Sequence, residues 1–370
     1  MKIVLLAAAS SIHTLKWANG LCERGHEVYV FSQHKALEDF NQGVTVYTFP
    51  NRGVLGYFLM VRRVRILVDK IRPDLVNAHY ASGYGTTARL LNYRPWVLSV
   101  WGSDVYDFPK KSFLHKYLVR GNLQSTDVIC STSKCMADET MKLISETKEI
   151  SITPFGVDLK TFKTKAEIGP AENKVVIGTI KSMQWKYGVD TLIEAFAILK
   201  EKIRLTSKAS DIQLELRLIG DGEQTEELKG LANKLGIGKS VKFVGRIPHS
   251  KVPSELSKLD IFVALSRLDS ESFGVAVVEA SASGIPVVVS DAGGLPEVTI
   301  NGKTGFVVPR ESPADAAEKL EMLVRNSRLR AEIGSNGRLH VEKMYSWKSC
   351  LDKMESVYND VIEGKRVLGK

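Results

Sequence analysis

The sequence lacks any apolar run close to the roughly 20 residues that an α-helix needs to span a bilayer. It has four cysteines (Cys22, Cys130, Cys135 and Cys350), and their spacing fits neither a zinc site nor a dense disulfide framework. It also lacks lysine and arginine runs with interleaved aromatic residues, and it has none of the usual nucleic-acid motifs. These absences argue against a membrane-spanning protein, a disulfide-stapled secreted domain and a nucleic-acid-binding module.

The first residues, MKIVLLAAASSIH, contain one lysine and a short apolar stretch, which are two features of a secretory signal peptide. The apolar stretch is at the short limit for that role, and His13, Lys16 and Trp17 follow it at once. We therefore predict that KIVLLAAA is a buried first strand. Together with the sparse cysteines, this favours a cytoplasmic location.

The net charge of +9 is distributed unevenly along the chain. Residues 1–168 hold 22 lysines and arginines against 15 acids, whereas the remainder holds 29 against 27. A basic first half indicates an anionic partner, such as a membrane surface, a phosphorylated ligand or nucleic acid. A solvated basic face explains the same excess almost as well.

Short apolar strands alternate with amphipathic segments in both halves of the chain, which is typical of parallel sheets covered by helices. We predict two doubly wound α/β domains, 1–168 and 169–347, with a final helix at about 348–370 that packs back on the first. The boundary falls in a polar stretch that contains Gly169 and Pro170. Because ligands of such sheets bind beyond the carboxyl ends of the strands, the cleft between the domains is the expected site.

The stretch ESFGVAVVE brackets apolar residues and glycine with two carboxylates, Glu271 and Glu279. A helix beginning near Gly274 would present backbone amides to an anion. Glu279 could then accept hydrogen bonds from a ribose diol, and Glu271 could hold the hydroxyls of a second sugar. The pattern fits a nucleotide-sugar, although a capping glutamate and a salt-bridged glutamate would produce the same spacing.

Glycines follow two other predicted strands of the second half. LRLIGDG places Gly220 and Gly222 after one strand, and SDAGGLPEV places Gly293 and Gly294 after another. Such glycines allow tight turns, and we expect them near the ligand cleft.

Residues 266–306, SRLDSESFGVAVVEASASGIPVVVSDAGGLPEVTINGKTGF, closely resemble the signature region of the group 1 (family 4 type) retaining glycosyltransferases with the GT-B fold. The Glu-x7-Glu motif, the G-x-P strand and the Gly-Gly turn occur there in order. SIHTLKWANGLCERGHEV, PDLVNAHYASGYG, VWGSDV, VICSTS and PFGVD extend the resemblance over nearly the whole chain. The resemblance implies an α/β protein with two Rossmann-like doubly wound domains facing a central cleft.

The resemblance also implies roles for the residues of this motif. Glu271 would contact the donor sugar as a catalytic residue. The backbone amides of Ser272, Phe273 and Gly274 would contact sugar and phosphate, and Glu279 would bind the ribose hydroxyls. These roles agree with those that the physical pattern suggests.

The family usually places an arginine and a lysine on the donor diphosphate, after the first strand of the second domain. In this chain, Lys186 matches the lysine, with Tyr187 inserted before Gly188. Lys181 lies close to the arginine position, and Ser182 is the alternative occupant of that position. A lysine lacks the bidentate fork of arginine, and two solvated lysines are the alternative. Gly220 would form a tight turn near the same donor site.

Three residues of the first domain follow predicted strands or lie in the first loop. His79 resembles a family histidine beside the donor sugar, and it is a candidate catalytic residue. His13 lies in the first strand–helix loop and Asp104 follows another strand, both on the expected acceptor side. For Asp104, a structural helix cap is an equally good interpretation.

The resemblance implies transfer with retention of configuration and without a metal or other cofactor. No firm nucleophile is visible in the sequence, which favours same-face substitution. We expect a glycosyltransferase that moves a sugar from a nucleotide-sugar to a glycan or lipid-linked acceptor in cell-surface polysaccharide or glycolipid biosynthesis. A nucleotide-sugar epimerase or hydrolase on a similar fold is the alternative.

The segment 56–73 contains five basic residues, one acid and apolar residues at helical spacing. The apolar positions are Phe58, Val61, Val64, Leu67, Val68 and Ile71. A basic amphipathic helix of this kind is typical of membrane-surface binding. We predict a peripheral contact with an anionic membrane at its cytoplasmic face, with an ordinary surface helix packed on the sheet as the alternative.

Overall fold

The computed structural model describes residues 1–49, 53–144, 148–164, 174–206 and 212–364. The chain divides into two compact units. The first unit consists of residues 1–155 together with those from 348 onward, and the second consists of residues 156–347. Within the described residues, no helix combines the length and the apolar composition that crossing a bilayer requires.

The first unit contains a parallel sheet of seven strands, in the order β3-β2-β1-β4-β5-β6-β7. Its strands are β1 (Lys2–Leu6), β2 (Glu27–Ser32), β3 (Val44–Thr48), β4 (Leu75–His79), β5 (Trp96–Val100), β6 (Val128–Ser131) and β7 (Ile150–Ile152). The first seven helices are α1 (Ile12–Glu23), α2 (Gly56–Leu59), α3 (Val61–Ile71), α4 (Gly83–Leu91), α5 (Ser103–Tyr106), α6 (Phe113–Ser125) and α7 (Lys134–Met141). Every residue of the central strands β4, β5 and β6 is buried, so both faces of the sheet are covered.

The second unit contains a parallel sheet of six strands, in the order β10-β9-β8-β11-β12-β13. Its strands are β8 (Lys174–Ile180), β9 (Gln213–Ile219), β10 (Val241–Gly245), β11 (Ile261–Ala264), β12 (Val287–Ser290) and β13 (Gly305–Val308). Its helices are α8 (Val189–Thr206), α9 (Thr225–Lys234), α10 (Val252–Leu256), α11 (Val275–Ala282), α12 (Leu295–Val298), α13 (Pro313–Arg325) and α14 (Ser327–Met344). Short 3-10 helices cover Phe108–Lys110, Trp185–Tyr187, Gly238–Ser240 and His249–Lys251.

In both units the strand order reverses beside the first strand, between β1 and β4 and between β8 and β11. This order defines a doubly wound sheet, and it gathers the loops that follow neighbouring strands at one edge. The prediction of two doubly wound, Rossmann-like α/β domains is therefore confirmed. The functional residues predicted from the sequence lie at the carboxyl edges of the two sheets.

The predicted domain boundary at 168/169 lies outside the described residues. Along the described chain, the first compact unit ends at Phe155 and the second begins at Gly156. The Val157 amide donates to the Tyr345 carbonyl at 2.9 Å, and Phe162 is fully buried. Arg338 donates to the Phe162 carbonyl at 2.5 Å.

The last helix, α15 (Trp347–Ile362), belongs with the first unit for nearly its whole length. The Asn77 side-chain amide on β4 donates to the Tyr358 hydroxyl at 2.6 Å, inside the core. At the surface, Arg24 forms an ion pair of 2.6 Å with Glu355, which also lies 2.7 Å from the His26 ring. Helix α15 is thus held on the first sheet by a buried hydrogen bond and a partly exposed charge cluster.

The segment predicted as one basic amphipathic helix, 56–73, forms two helices, α2 and α3. The apolar stripe of α3 packs into the core of the first unit, where Val64 and Val68 are buried and Leu67 and Ile71 contact the same cluster. The apolar stripe of α3 therefore stabilises the fold, which agrees with the alternative interpretation of a surface helix packed on the sheet. Two of the six apolar positions lie outside this cluster, since Val61 is only partly buried and Phe58 is exposed on α2.

Candidate functional site

In the second unit, the loops after β8, β9 and β10 border one cavity of about 420 Å³. Its lining includes Lys181, Ser182, Tyr187, Gly220, Arg246 and His249. Three of these residues, Lys181, Ser182 and Gly220, had been singled out in the sequence. Arg246 and His249 had not, because neither belongs to a motif with a recognisable spacing.

The loops after β8 and β9 approach each other closely at Gly220. The Lys181 amide donates to the Ile219 carbonyl at 2.9 Å. Gly220 has a φ of +136°, and a β carbon at this position would overlap the Lys181 carbonyl oxygen. Only glycine fits there without moving the backbone. Gly220 therefore sets the position of the main chain that carries Lys181.

Lys181 and Glu271 form a mostly buried ion pair, with 2.7 Å between Nζ and Oε2. The Ser266 hydroxyl donates to the same carboxylate oxygen at 3.2 Å. The Lys181 ammonium also lies over the Tyr187 ring, 4.8 Å from its centroid. Two residues predicted to contact a ligand are thus in direct contact with each other.

Lys186 also lies close to the Tyr187 ring. Its ammonium is 4.9 Å from the Tyr187 centroid. The short turn that carries it is held by Arg267, which donates to the Trp185 carbonyl at 2.6 Å and forms a 2.7 Å ion pair with Asp190. Arg267 is a positioning residue that the sequence analysis missed, since its partners are distant in the chain.

Ser182 and Lys181 are the two residues near the place where the family resemblance suggested an arginine. Its hydroxyl donates to the Asp221 carbonyl at 3.2 Å, so it helps to join the loops after β8 and β9. The exposed Arg246 borders the same cavity from the loop after β10. The cavity therefore contains a guanidinium group, but at another position in the sequence than expected.

The segment from Glu271 to Gly274 leads into helix α11 as predicted, and Gly274, with a φ of +87°, is the residue before its first turn. Ser272 and Phe273 are buried in this segment. No side chain caps the helix start, and its first turn contains no acid. The backbone amides at this end therefore favour an anion.

The Gly293–Gly294 turn after β12 packs against the segment that contains Glu271. The Gly294 amide donates to the Glu271 carbonyl at 2.9 Å. A β carbon on Gly293 would overlap the Glu271 carbonyl oxygen, and one on Gly294 would overlap that of Ser272. The predicted Gly-Gly turn thus has a physical reason, which is the close approach of two main chains.

Glu279 lies on α11 with only 5% of its surface exposed. Its Oε1 atom is 3.0 Å from Nε2 of His249, which is partly exposed at the cavity. A buried carboxylate needs such a partner because removing it from water is costly. The alternative interpretation, a glutamate paired elsewhere in the fold, therefore describes part of what Glu279 does.

In the first unit, His79 ends β4 and is 1% exposed. Its ring lies against Trp101 with 4.3 Å between centroids. Its Nδ1 atom is buried and has no hydrogen-bond partner among the described residues. Burial, with a smaller contribution from the charge of His13, lowers the pKa of His79 to about 3. His79 is therefore neutral at physiological pH.

His13 belongs to the same aromatic cluster. It lies in the first turn of α1, because the helix begins at Ile12, and not in the preceding loop as predicted. Its ring stacks on Phe155 with 4.1 Å between centroids and meets the edge of Trp101 at 5.8 Å. The cluster brings His13 and His79 together at the carboxyl edge of the first sheet.

Asp104 is fully buried, and both of its carboxylate oxygens accept backbone hydrogen bonds. Oδ2 accepts from the Ala81 amide at 2.7 Å, and Oδ1 accepts from Trp101 at 3.1 Å and Gly102 at 2.9 Å. Burial raises the pKa of Asp104, and these amides oppose that shift. Asp104 joins the loops after β4 and β5, which is a structural role.

A second cavity, of about 680 Å³, lies at the carboxyl ends of β1, β2 and β3 in the first unit. Its lining includes Ser10, His34, Lys35, Leu37, Phe49 and Gly53. The His34 ring lies 2.8 Å from the Tyr84 hydroxyl, and burial lowers the pKa of His34. The sequence analysis did not single out any residue of this cavity.

The predicted site residues thus form two groups, one in each unit. The second unit brings together Lys181, Lys186, Glu271 and a helix start, which suit a ligand with both anionic and hydroxyl groups. The first unit supplies His79, which is neutral, in a cluster of aromatic side chains. Within the described part of the chain, no three His, Cys, Asp or Glu side chains are grouped as metal ligands.

Two protein-family models match the chain. The model described as glycosyl transferases group 1 matches residues 160–340. The model described as glycosyl transferase 4-like matches residues 2–133. The first match falls wholly within the second unit, and the other falls within the first unit.

The chain is similar along most of its length to curated proteins. It is 30% identical over 317 residues to the D-inositol 3-phosphate glycosyltransferase of Corynebacterium jeikeium, with 79% of this chain and 74% of that protein covered. It is 26% identical over 344 residues to an uncharacterized glycosyltransferase of Methanocaldococcus jannaschii, with 90% of each protein covered.

The fold is similar to that of Anabaena HepE, whose crystal structure was determined in complex with UDP and glucose. The TM-score is 0.77 at 20% identity, and the match covers 97% of this chain and 100% of that one. At this identity the similarity is evidence for the fold alone.

The low pKa of His79 predicts an acid-dependent loss of stability. Below pH 6.5 the unfolded chain binds a proton at this residue, whereas the folded protein does not until the pH nears 3. The free energy of unfolding is therefore unaffected by this group above pH 6.5. Below that pH it falls by about 1.4 kcal/mol for each pH unit. Urea unfolding of the wild type and His79→Gln should show that the wild type loses about 2 kcal/mol more between pH 7 and pH 5.

The matched control is His115→Gln, which replaces a histidine hydrogen-bonded to Ser112 at the surface. This variant should keep the pH dependence of the wild type. If His79→Gln also keeps the pH dependence of the wild type, the pKa of His79 is not lowered in the folded protein. The assignment of a neutral imidazole would then be wrong.

Proposed function

The chain belongs to the group 1 glycosyltransferases of the family 4 type, with the GT-B fold, and from this we propose that it is a retaining enzyme that uses a nucleotide-sugar donor. The acceptor is a glycan or a lipid-linked sugar of polysaccharide or glycolipid biosynthesis. The observation that carries the proposal is the Lys181–Glu271 pair, at 2.7 Å, on the loops that lead to the cavity and to α11.

The donor diphosphate binds at the positive groups of the second unit. The ammonium groups of Lys181 and Lys186 lie 4.8 and 4.9 Å from the Tyr187 ring centroid, and the amide end of α11 follows Gly274. As the bond to the sugar breaks, negative charge grows on the diphosphate. Fixed cations and backbone dipoles stabilise that charge more strongly in the transition state than in the ground state.

The nucleoside ribose binds at Glu279. A carboxylate accepts two hydrogen bonds, and the 2′- and 3′-hydroxyls of ribose can donate both. His249, 3.0 Å from the carboxylate, fixes its orientation from the cavity side. A buried and already oriented carboxylate loses little side-chain entropy when the ribose binds.

The donor sugar binds at Glu271 and at the amides of Ser272, Phe273 and Gly274. Glu271 is paired with Lys181 in the described structure. A donor that offers phosphate to Lys181 and hydroxyls to Glu271 replaces the partner of each residue. The site is therefore selective for a ligand with both groups, and a sugar nucleotide is such a ligand.

The residues of the first unit lie on the acceptor side and beside the donor sugar. The family resemblance assigns His79 to the donor sugar, and its low pKa restricts it to hydrogen bonding without charge. His13 and the loops that Asp104 joins shape the acceptor side. The 680 Å³ cavity beside His34 is large enough for a sugar-sized acceptor group.

The sugar is transferred with retention, by attack of the acceptor on the face from which the diphosphate departs. The resemblance favours this route, since no motif of the chain supplies a firm nucleophile. The acceptor hydroxyl gives its proton to the departing phosphate oxygen, so the product is a nucleoside diphosphate. Lysines and the helix start take the charge-stabilising role, and we propose that no metal is needed.

The donor base should be identifiable by thermal shift. Addition of UDP, GDP, ADP, dTDP or CDP and their sugar conjugates at a hundredfold excess over the dissociation constant should stabilise the folded protein by about 2.7 kcal/mol for the matching base. UDP is tested first because HepE binds it. Stabilisation by none of these nucleotides would contradict the donor site proposed here.

Two single substitutions should separate nucleotide binding from turnover. Glu279→Ala removes the ribose contact and should weaken nucleotide affinity at least tenfold, as loss of hydrogen bonds to a charged group does. Glu271→Ala should keep or tighten nucleotide affinity, because Lys181 loses a competing partner, while turnover falls at least a hundredfold. Calorimetric titration and product analysis measure the two effects.

The control for this pair is Glu318→Ala, which removes an exposed carboxylate of α13. It should change neither quantity. Equal nucleotide affinities in all four proteins would refute the division of labour between Glu271 and Glu279.

Metal independence has its own test. The rate of sugar transfer should stay within twofold after treatment with EDTA, because lysines and backbone amides neutralise the diphosphate in this site. A large loss of rate that Mg²⁺ or Mn²⁺ restores would overturn this expectation.

A separate test distinguishes transfer from hydrolysis. Release of free sugar from the donor at an undiminished rate without acceptor would identify a hydrolase.

A further inference from the structure

The side chain of Arg267 lies where three loops of the second unit meet, and Arg267 is only 8% exposed. Its guanidinium donates to the carboxylates of Asp190 and Glu311 at 2.7 and 3.0 Å, to the Trp185 carbonyl at 2.6 Å and to the Thr191 hydroxyl at 3.1 Å. A buried cation needs such partners because its removal from water is costly. One side chain thus joins the loop after β11, which carries it, to the turn after β8 and to the loop after β13.

The main chain of Arg267 holds the same turn after β8. Its amide donates to the Lys186 carbonyl at 2.8 Å, and its guanidinium binds the preceding carbonyl, that of Trp185. A β carbon on Gly188 would overlap the Leu265 carbonyl oxygen, so the turn also packs directly against the loop after β11. The position of Lys186 therefore depends on Arg267 through two consecutive peptide groups.

A second arginine, Arg310, extends these contacts to the loop after β12. It donates to the Arg267 carbonyl at 3.0 Å and forms ion pairs of 3.0 Å with Asp269 and Asp291. Its own amide donates to the Asp291 carboxylate at 3.0 Å. Arg310 thus binds the loop that leads to Glu271 at two points, Arg267 and Asp269.

Asp269 connects Arg310 with the segment that presents Glu271. The Asp269 oxygen that pairs with Arg310 also accepts from the Gly293 amide at 3.1 Å. The Glu271 amide donates to the Leu268 carbonyl at 3.0 Å, which closes a tight turn around Asp269. A displacement of Asp269 would therefore move Glu271.

These contacts contribute more to position than to stability. The four carboxylates that pair with the two arginines are 28%, 58%, 62% and 51% exposed, and ion pairs with exposed partners add little to the free energy of unfolding. A planar guanidinium, by contrast, holds several acceptors in one fixed arrangement. The effect expected from the loss of either arginine is thus a shift of the loops that it joins.

We propose that Arg267 and Arg310, together called the arginine brace, are positioning residues for sugar transfer. Arg267 places the Lys186 ammonium for the donor diphosphate, and Arg310 places the Glu271 carboxylate for the donor sugar. Each arginine acts through the residue that it places. The inference rests on the proposed function for the roles of Lys186 and Glu271, and it adds what keeps these two residues in place.

The first test is a double-mutant cycle on nucleotide affinity, measured by calorimetric titration. The probe is whichever of UDP, GDP, ADP, dTDP and CDP stabilises the wild type most. Lys186→Ala and Arg267→Gln should each weaken its affinity about tenfold, as the loss of one hydrogen bond to a charged group does. The double variant should be no weaker than either single variant, because Arg267 acts through Lys186. A combined loss of about a hundredfold would show that the two residues act independently, and the proposal would be wrong.

Arg267→Lys tests the geometry of the guanidinium against its charge. Lysine keeps the positive charge but lacks the planar fork that binds acceptors on several sides. This variant should bind the nucleotide as weakly as Arg267→Gln does. Wild-type affinity in Arg267→Lys would mean that charge alone suffices, which contradicts a positioning role.

Arg310→Gln should divide binding and turnover in the opposite way. Its nucleotide affinity should equal that of the wild type, because Lys186 keeps its contacts with Arg267. Its kcat, measured with the sugar conjugate of the same nucleotide, should fall by about tenfold to a hundredfold, which is the cost of a misplacement of about 1 Å. An unchanged kcat would refute the role of Arg310.

The matched control is Arg330→Gln. Arg330 is also a partly buried arginine that donates to two main-chain carbonyls, those of Leu323 and Val324, at 2.6 and 2.9 Å. It interacts with Asp260, which precedes β11, and so lies at the opposite edge of the sheet from the site. This variant should keep both nucleotide affinity and kcat. Losses equal to those of the brace variants would mean that general loosening of the second unit explains them, and the arginine brace would be refuted.

Thermal unfolding checks that each variant is folded. If Arg267→Gln does not fold, Asp190→Asn takes its place in the cycle, since it removes a partly exposed carboxylate that orients the same guanidinium. Wild-type affinity in Lys186→Ala would contradict the donor site itself. Weakened binding by Lys186→Ala with wild-type affinity in the Arg267 variant would contradict the arginine brace alone.

Discussion

Close packing of main chains at a few glycines is the constraint on which the candidate site of the second unit depends. A β carbon on Gly220 would overlap the Lys181 carbonyl, and one on Gly293 would overlap the Glu271 carbonyl. These contacts bring the loops after β8, β9, β11 and β12 together. The ion pair between Lys181 and Glu271 can form because the backbones that carry both residues are already fixed.

The site features that could be predicted from the sequence are those with a local pattern. The spacing of Glu271 and Glu279 around Gly274 placed a helix start between two carboxylates, and the structure has this arrangement. His249 and Arg267 escaped prediction, since each contacts residues that are 30 or more positions away. Such pairings depend on the register of whole strands and helices, which no short stretch of sequence determines.

The fold was predictable because alternating strands and helices permit few topologies. What each amphipathic face packs against was less predictable. The apolar period of α3 is the same whether Val64 and Val68 meet a core or a lipid surface, and here they meet the core. Asp104 likewise fitted a ligand contact or a structural role, and in the structure it accepts hydrogen bonds from three backbone amides.

The pairing of Lys181 with Glu271 has a consequence for product release. A ligand that brings only negative charge draws Lys181 away and leaves a buried carboxylate without its counterion, which is costly. In the proposed function, the sugar hydroxyls of the intact donor would compensate for this cost, whereas the spent nucleotide has none to offer. The ion pair would then compete with the product for Lys181 and favour its departure, so the two residues proposed to hold the donor would also help to clear the site.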